Sequence, residues 1–166
     1  MLLAGNTLLD AIFYAIGFTL ILMGPFAINA RFFWHDMPQA IKDQTEPPSP
    51  KEKRWMLLIS IAFFAFGLLY PLFSGIAFNN LHAGRPGFWA MFWHIFWLPM
   101  AANLVDWLIL DWLLFATIRP KFMAIPGTHG DPAYHEYKSH FIGFLIGTSI
   151  SIALGLVFAA IFHLLV

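Results

Sequence analysis

Four long stretches of this chain are apolar and free of charge. Residues 11–30, 55–84, 86–105 and 139–166 hold no Asp, Glu, Lys or Arg, in runs of 20, 30, 20 and 28 positions. A bilayer core about 30 Å thick is crossed by roughly 20 apolar residues in a helix. The third run stays apolar past Asp106 and Asp111 as far as Ile118. None of the runs alternates polar with apolar residues, which argues against the strands of a membrane barrel. The spacing predicts an all-α integral membrane protein with four transmembrane helices, over residues 6–32, 54–79, 88–118 and 138–165. They are expected to form one compact antiparallel bundle that takes in residues 1–166 as a single domain.

Pro25, Pro71 and Pro99 put one proline inside each of the first three helices. Each removes a backbone donor and predicts a kink. The fourth helix has no proline. Its Gly143, Gly147, Ser151 and Gly155 recur every four residues, a ridge of small side chains that lets another helix approach closely. The ridge is expected to meet a helix of this chain, of a second copy, or of a partner membrane subunit. No Lys or Arg precedes Arg31 and no small-residue cleavage site follows the first run, so that run is expected to be a membrane helix and not a cleaved signal.

The connections carry turn chemistry. Thr45-Glu46-Pro47-Pro48-Ser49-Pro50 is stiff and extended. Ile125-Pro126-Gly127-Thr128 predicts a turn with glycine at a positive φ. Asp131-Pro132 reads as N-cap and first position of a helix running into the fourth span.

Composition confirms the class. The chain is 60% hydrophobic and 11% charged, against about 45–50% and about 25% in soluble domains. A water-soluble globule and a disordered chain are excluded. Nine Lys+Arg balance nine Asp+Glu, so no nucleic-acid partner is expected. The absence of cysteine excludes disulfides and thiolate chemistry. Placed on the chain, the positive charges sort. Arg31, Lys42, Lys51, Lys53, Arg54, Arg119, Lys121 and Lys138 fall on one side of the four spans and Arg85 on the other. The positive-inside rule then puts loops 33–53 and 119–137 in the cytoplasm and both termini outside, in the cytoplasmic membrane. Trp34 and Trp55 sit at the inner interface and Trp89 at the outer one.

Asp106 and Asp111 are the residues that call for chemistry. An ionised carboxylate near the bilayer centre costs about 2.5–3.5 kcal/mol on insertion scales. Two in one span need a partner, a cation, water or protonation. At about 100° per residue they point roughly 140° apart on an α-helix, with Asn103 between them. One is then expected to face the bundle core and the other a groove. At the inner end of the fourth span Glu136 and His140 are four apart, as on one helix face. Asn103, Asp106, Asp111, Glu136 and His140 are the candidate binding set. Asp111, His135, Glu136 and His140 are a candidate divalent-metal set, although their spacing matches no metalloenzyme signature. His35-Asp36 closes the first span on the same side. On the outer side, His94 and His163 at similar depth are a candidate axial pair for haem, beside Phe92, Trp93, Phe96 and Trp97.

No enzyme is favoured. Ser60, Ser74, Ser149 and Ser151 lack a nucleophile elbow and are expected to bond to their own or neighbouring helices. No Gly-rich phosphate loop is present. The leading expectation is a small multi-pass membrane protein whose acidic site handles protons, cations or a small polar solute. Two alternatives belong to other classes. One is a metal- or haem-binding membrane enzyme or redox subunit. The other is a structural or accessory subunit of a larger membrane complex.

Overall fold

A computed structural model describes residues 5–84 and 86–165, the side chain of Leu165 excepted; Arg85, the single positive charge assigned to the outer side, lies outside them. All regular structure among these residues is helical. Four helical segments are long and apolar enough to cross a membrane: Thr7–Ile28, Pro50–Leu81, Phe88–Ile118 and Pro132–Leu164. They correspond to the four expected spans, and each boundary has a local cause.

Helix α1 (Thr7–Ile28) is capped by Asn6, whose side chain accepts from the Leu9 N–H at 3.2 Å. It ends four residues before the expected 32, because Asn29 is extended and its side chain accepts from the Arg31 N–H at 3.0 Å. That local bond competes with helix continuation and opens a 3₁₀ helix, Ala30–Asp36. After the short α2 (Gln39–Asp43) the chain has no regular structure through Glu46–Ser49.

Helix α3 (Pro50–Leu81) starts four residues before the expected 54. Ser49 and Glu52 form a reciprocal capping box, with Pro50 at the first helical position. Lys51, Lys53 and Arg54 therefore belong to an exposed helical turn and not to the loop. Arg31 staples this turn to α1: its Nε lies 2.6 Å from Glu52 Oε1, and its Nη2 donates to the Glu46 carbonyl at 3.0 Å.

Helix α4 (Phe88–Val105) passes without a break into a π-helix, Asp106–Ile118, which stops at Arg119 with φ +53°. Gly127 takes φ +92° in the expected turn, closed by Thr128 N–H to the Ile125 carbonyl at 3.0 Å. Asp131 caps only one 3₁₀ turn, Pro132–Tyr134, and α5 (Tyr137–Leu165) begins after the break at His135 and Glu136.

Helix α4 is buried between α1 and α5. Leu98 and Ala102 pack on Tyr14 and Ala15 of α1, while Met91 and Ile95 pack on Phe158, Ala159 and Phe162 of α5. The small-residue ridge is used inside the chain. A side chain at Gly155 would press on Phe92, and one at Gly147 would collide with the Asn103 side chain. Helix α3 packs less extensively; Leu57, Ile61 and Phe64 are exposed, as lipid-facing residues should be. The two long connections, between α1 and α3 and between the π-helix and α5, fold together as a cap. Phe33, Met37 and Ile41 of the first meet Met123, Ile125 and Tyr134 of the second around Phe115. Gln44 Nε2 donates to Asp131 Oδ2 at 3.1 Å across them.

Candidate functional site

The π-helix changes the geometry of the two intramembrane carboxylates. Its backbone bonds join residue i to i+5. Arg119 N–H reaches the Leu114 carbonyl at 2.7 Å, and Thr117 Oγ1 reaches the Trp112 carbonyl at 2.6 Å, both five residues back. Residues five apart become neighbours on one face. The expected divergence of about 140° between Asp106 and Asp111, which assumed an α-helix, does not hold. Both line one cavity of about 590 Å³. Trp107 and Trp112, also five apart, stand together with ring centroids 4.9 Å apart, and Trp107 stacks on Phe144 of α5 at 4.2 Å.

The sequence itself carries a signal for this. Asp-Trp-Leu at 106–108 recurs at 111–113, a period of five that fits the π-helix. A helix assumed to be α throughout hides it.

The cavity lies between α1, α3, the π-helix and the start of α5, under the loop cap. Its titratable side chains are Asp106, Asp111, His140, His35 and Asp36. His140 Nδ1 lies 3.0 Å from Asp111 Oδ2, with 17% of the His140 side chain and 28% of the Asp111 side chain exposed. Asp106 makes no hydrogen bond among the described residues. Asp36 lies outside the spans. Desolvation pushes its carboxyl above the ordinary carboxylate range; His35 and Lys42 oppose the shift and Asp111 adds to it. The rest of the wall is apolar: Phe18, Leu22 and Phe26 from α1, Phe63 and Phe64 from α3, Phe115 from the π-helix.

The other predicted site residues fall elsewhere. Asn103 does not line the cavity; its Nδ2 donates to the Phe144 carbonyl at 3.0 Å and to Thr148 Oγ1 at 3.3 Å, tying α4 to α5. Glu136 precedes the first residue of α5, so it does not share a helix face with His140; it is exposed and accepts from Ser139 Oγ at 3.3 Å. His135 is exposed beside Tyr137. The expected metal set therefore reduces to Asp111 and His140. Among the described residues no group of three or more His, Asp or Glu side chains is placed to hold a metal ion.

The haem pair is not assembled either. His94 is buried with both ring nitrogens engaged, Nδ1 with Thr7 Oγ1 at 3.0 Å and Nε2 with Ser74 Oγ at 2.9 Å. It has no nitrogen left for iron. His163 is exposed, with its ring edge-on to Phe88.

His94 belongs instead to a second polar cluster, at the opposite end of the spans. Ser74 Oγ donates to Asp10 Oδ2 at 2.7 Å, and Asp10 and Ser74 are fully buried. With that proton committed, Ser74 Oγ accepts from His94 Nε2–H, and His94 Nδ1 accepts from the Thr7 hydroxyl. The chain runs Thr7 to His94 to Ser74 to Asp10 and joins α1, α3 and α4. It is not a hydrolase triad, because the serine proton points at the carboxylate and the histidine's other nitrogen faces a threonine. Asp10 and Ser74 sit 64 residues apart, so no local spacing announces the cluster.

No family model, no curated protein and no solved structure matches this chain. Geometry and chemistry alone carry the functional reading.

Proposed function

We propose that this is a small multi-pass membrane protein in which Asp106 and Asp111 form one intramembrane site for protons or a cationic solute, with His140 as its cytoplasmic gate-post. The observation that supports it most is the shared cavity of the two carboxylates, with an imidazole 3.0 Å from one of them. Ionisable residues inside a span are costly and are kept where they act on an ion or proton path. A long π-helix points the same way, since π segments occur mostly as single-turn bulges and often at functional sites.

In this reading the residues divide the work. Asp106, deepest and without a hydrogen bond among the described residues, is the carboxyl that exchanges its proton or cation. Asp111 and His140 share a proton at the inner end, and His35 and Asp36 lead to cytoplasmic water. The spans are arranged as an antiparallel bundle kinked at Pro25, Pro71 and Pro99, with both termini outside. The Asp10–Ser74–His94 cluster locks the outer end.

The test is flux. Reconstituted protein should dissipate an imposed proton or cation gradient, and Asp106→Asn and Asp111→Asn should each abolish this while folding and inserting normally. Flux unchanged in both variants would end the acidic-site reading.

A further inference from the structure

The cavity is far larger than a bare ion needs, and its walls are of two kinds. Its volume of about 590 Å³ falls in the range of sites that enclose organic ligands, about 300–1,000 Å³, whereas one water occupies about 30 Å³. A hard inorganic cation is held by six or more oxygen ligands at close range. Among the described residues no three acidic or imidazole side chains converge so closely. The cavity's acidic groups come from the π-helix and from Asp36, and phenylalanines of α1 and α3 line another part of the wall.

Part of the cavity wall also reaches the surface of the span. Ser60 and Phe64, four apart on one face of α3, both line it and are both exposed, Phe64 to 66%. They stand in the middle of a span whose outer face is lipid-facing. The part of the cavity wall that α3 supplies is thus also presented to the hydrocarbon.

Resting on the acidic-site reading, we propose that the cavity binds an amphiphilic organic cation: an ammonium-type head against Asp106 and Asp111, and a hydrocarbon or aromatic body along Phe18, Phe63 and Phe64. Negative charge selects the head. Apolar area selects the body at about 25 cal/mol per Å² buried, and the phenylalanine faces attract cationic charge nearby. The ligand enters from the bilayer between α1 and α3.

Equilibrium binding to the full chain in nanodiscs of zwitterionic lipid tests this. Dodecyltrimethylammonium should bind saturably at one site per chain. Tetramethylammonium, sodium and an uncharged dodecyl glycol ether should each bind at least about tenfold more weakly, a comparison that needs no variant. The Asp106→Asn/Asp111→Asn protein, monodisperse on gel filtration, should lose at least about tenfold in affinity for the long-chain cation. If tetramethylammonium or sodium binds as tightly as the long-chain cation, the amphiphile inference fails and the acidic site stands. If the long-chain cation does not bind while the Asn variants still abolish proton flux, the inference again fails alone. If it binds equally well to the Asn variants and flux is also unchanged, both fail.

Discussion

His140 Nδ1 lies 3.0 Å from Asp111 Oδ2, joining the start of α5 to the π-helical end of the third span. Asp106 stands one π-turn earlier on the same face. The pair is partly shielded from water, so its worth depends on both members being present. Asp111→Asn and His140→Gln should each lower unfolding free energy in detergent by about 1–3 kcal/mol. The double variant should fall short of the sum by about 0.5 kcal/mol or more. Strict additivity would mean the two groups do not interact.

Close approach of α4 and α5 rests on Gly147. A methyl group there collides with the Asn103 side chain, whereas one at Gly143 meets nothing within 4 Å. Gly147→Ala should destabilise by about 1–3 kcal/mol, the usual cost of overpacking. Gly143→Ala should be close to neutral. Asn103→Ala, combined with Gly147→Ala, should recover part of the loss in thermal denaturation. Equal effects at the two glycines would contradict the packing described.

The buried Asp10–Ser74–His94 cluster predicts an asymmetry among serines. Ser74→Ala removes the hydroxyl that donates to Asp10 and accepts from the His94 imidazole N–H, a loss of about 1–3 kcal/mol. Ser149 is exposed and bonds only to the Leu145 carbonyl of its own helix at 3.0 Å. Ser149→Ala should stay within about 0.5 kcal/mol of the parent. Parallel thermal melts of the two variants check this.

Asp36 gives a pH dependence of unusual sign. Its folded-state pKa is raised, chiefly by desolvation, so the folded protein holds that proton more tightly than the unfolded chain does. Stability therefore falls as pH rises from the ordinary aspartate value, about 3.9, to the higher folded value, and stays lower above it. Asp36→Asn should remove this decline and raise the melting temperature at neutral pH. A variant less stable than the parent at neutral pH would show that the ionised carboxyl is favourable in the fold.

Hydrophobic run length located all four spans, because a helix in lipid must satisfy its backbone internally and keep its surface apolar. The ends were less legible. Asn29 stops α1 by a side-chain bond and Ser49 with Glu52 starts α3 inside a charged stretch, neither of which run length registers. The acidic residues of the site were visible because charge is rare in a span. Their relationship was not, since an assumed α period turned a shared face into a divergence. The Asp-Trp-Leu repeat at five residues was the missed clue. Ser74 was invisible as a partner of Asp10 because 64 residues separate them.

Asp106 and Asp111 line one cavity, and the proposed site requires that a ligand reach both from within the membrane. Reaction with dicyclohexylcarbodiimide, a lipid-soluble carboxyl reagent, followed by peptide mass mapping, reads this directly. Modification is expected at Asp106 and Asp111 and should be suppressed by dodecyltrimethylammonium, while Asp10, packed among Ser74 and α4, is spared. Modification confined to Asp10, or equal labelling with and without the cation, would contradict it.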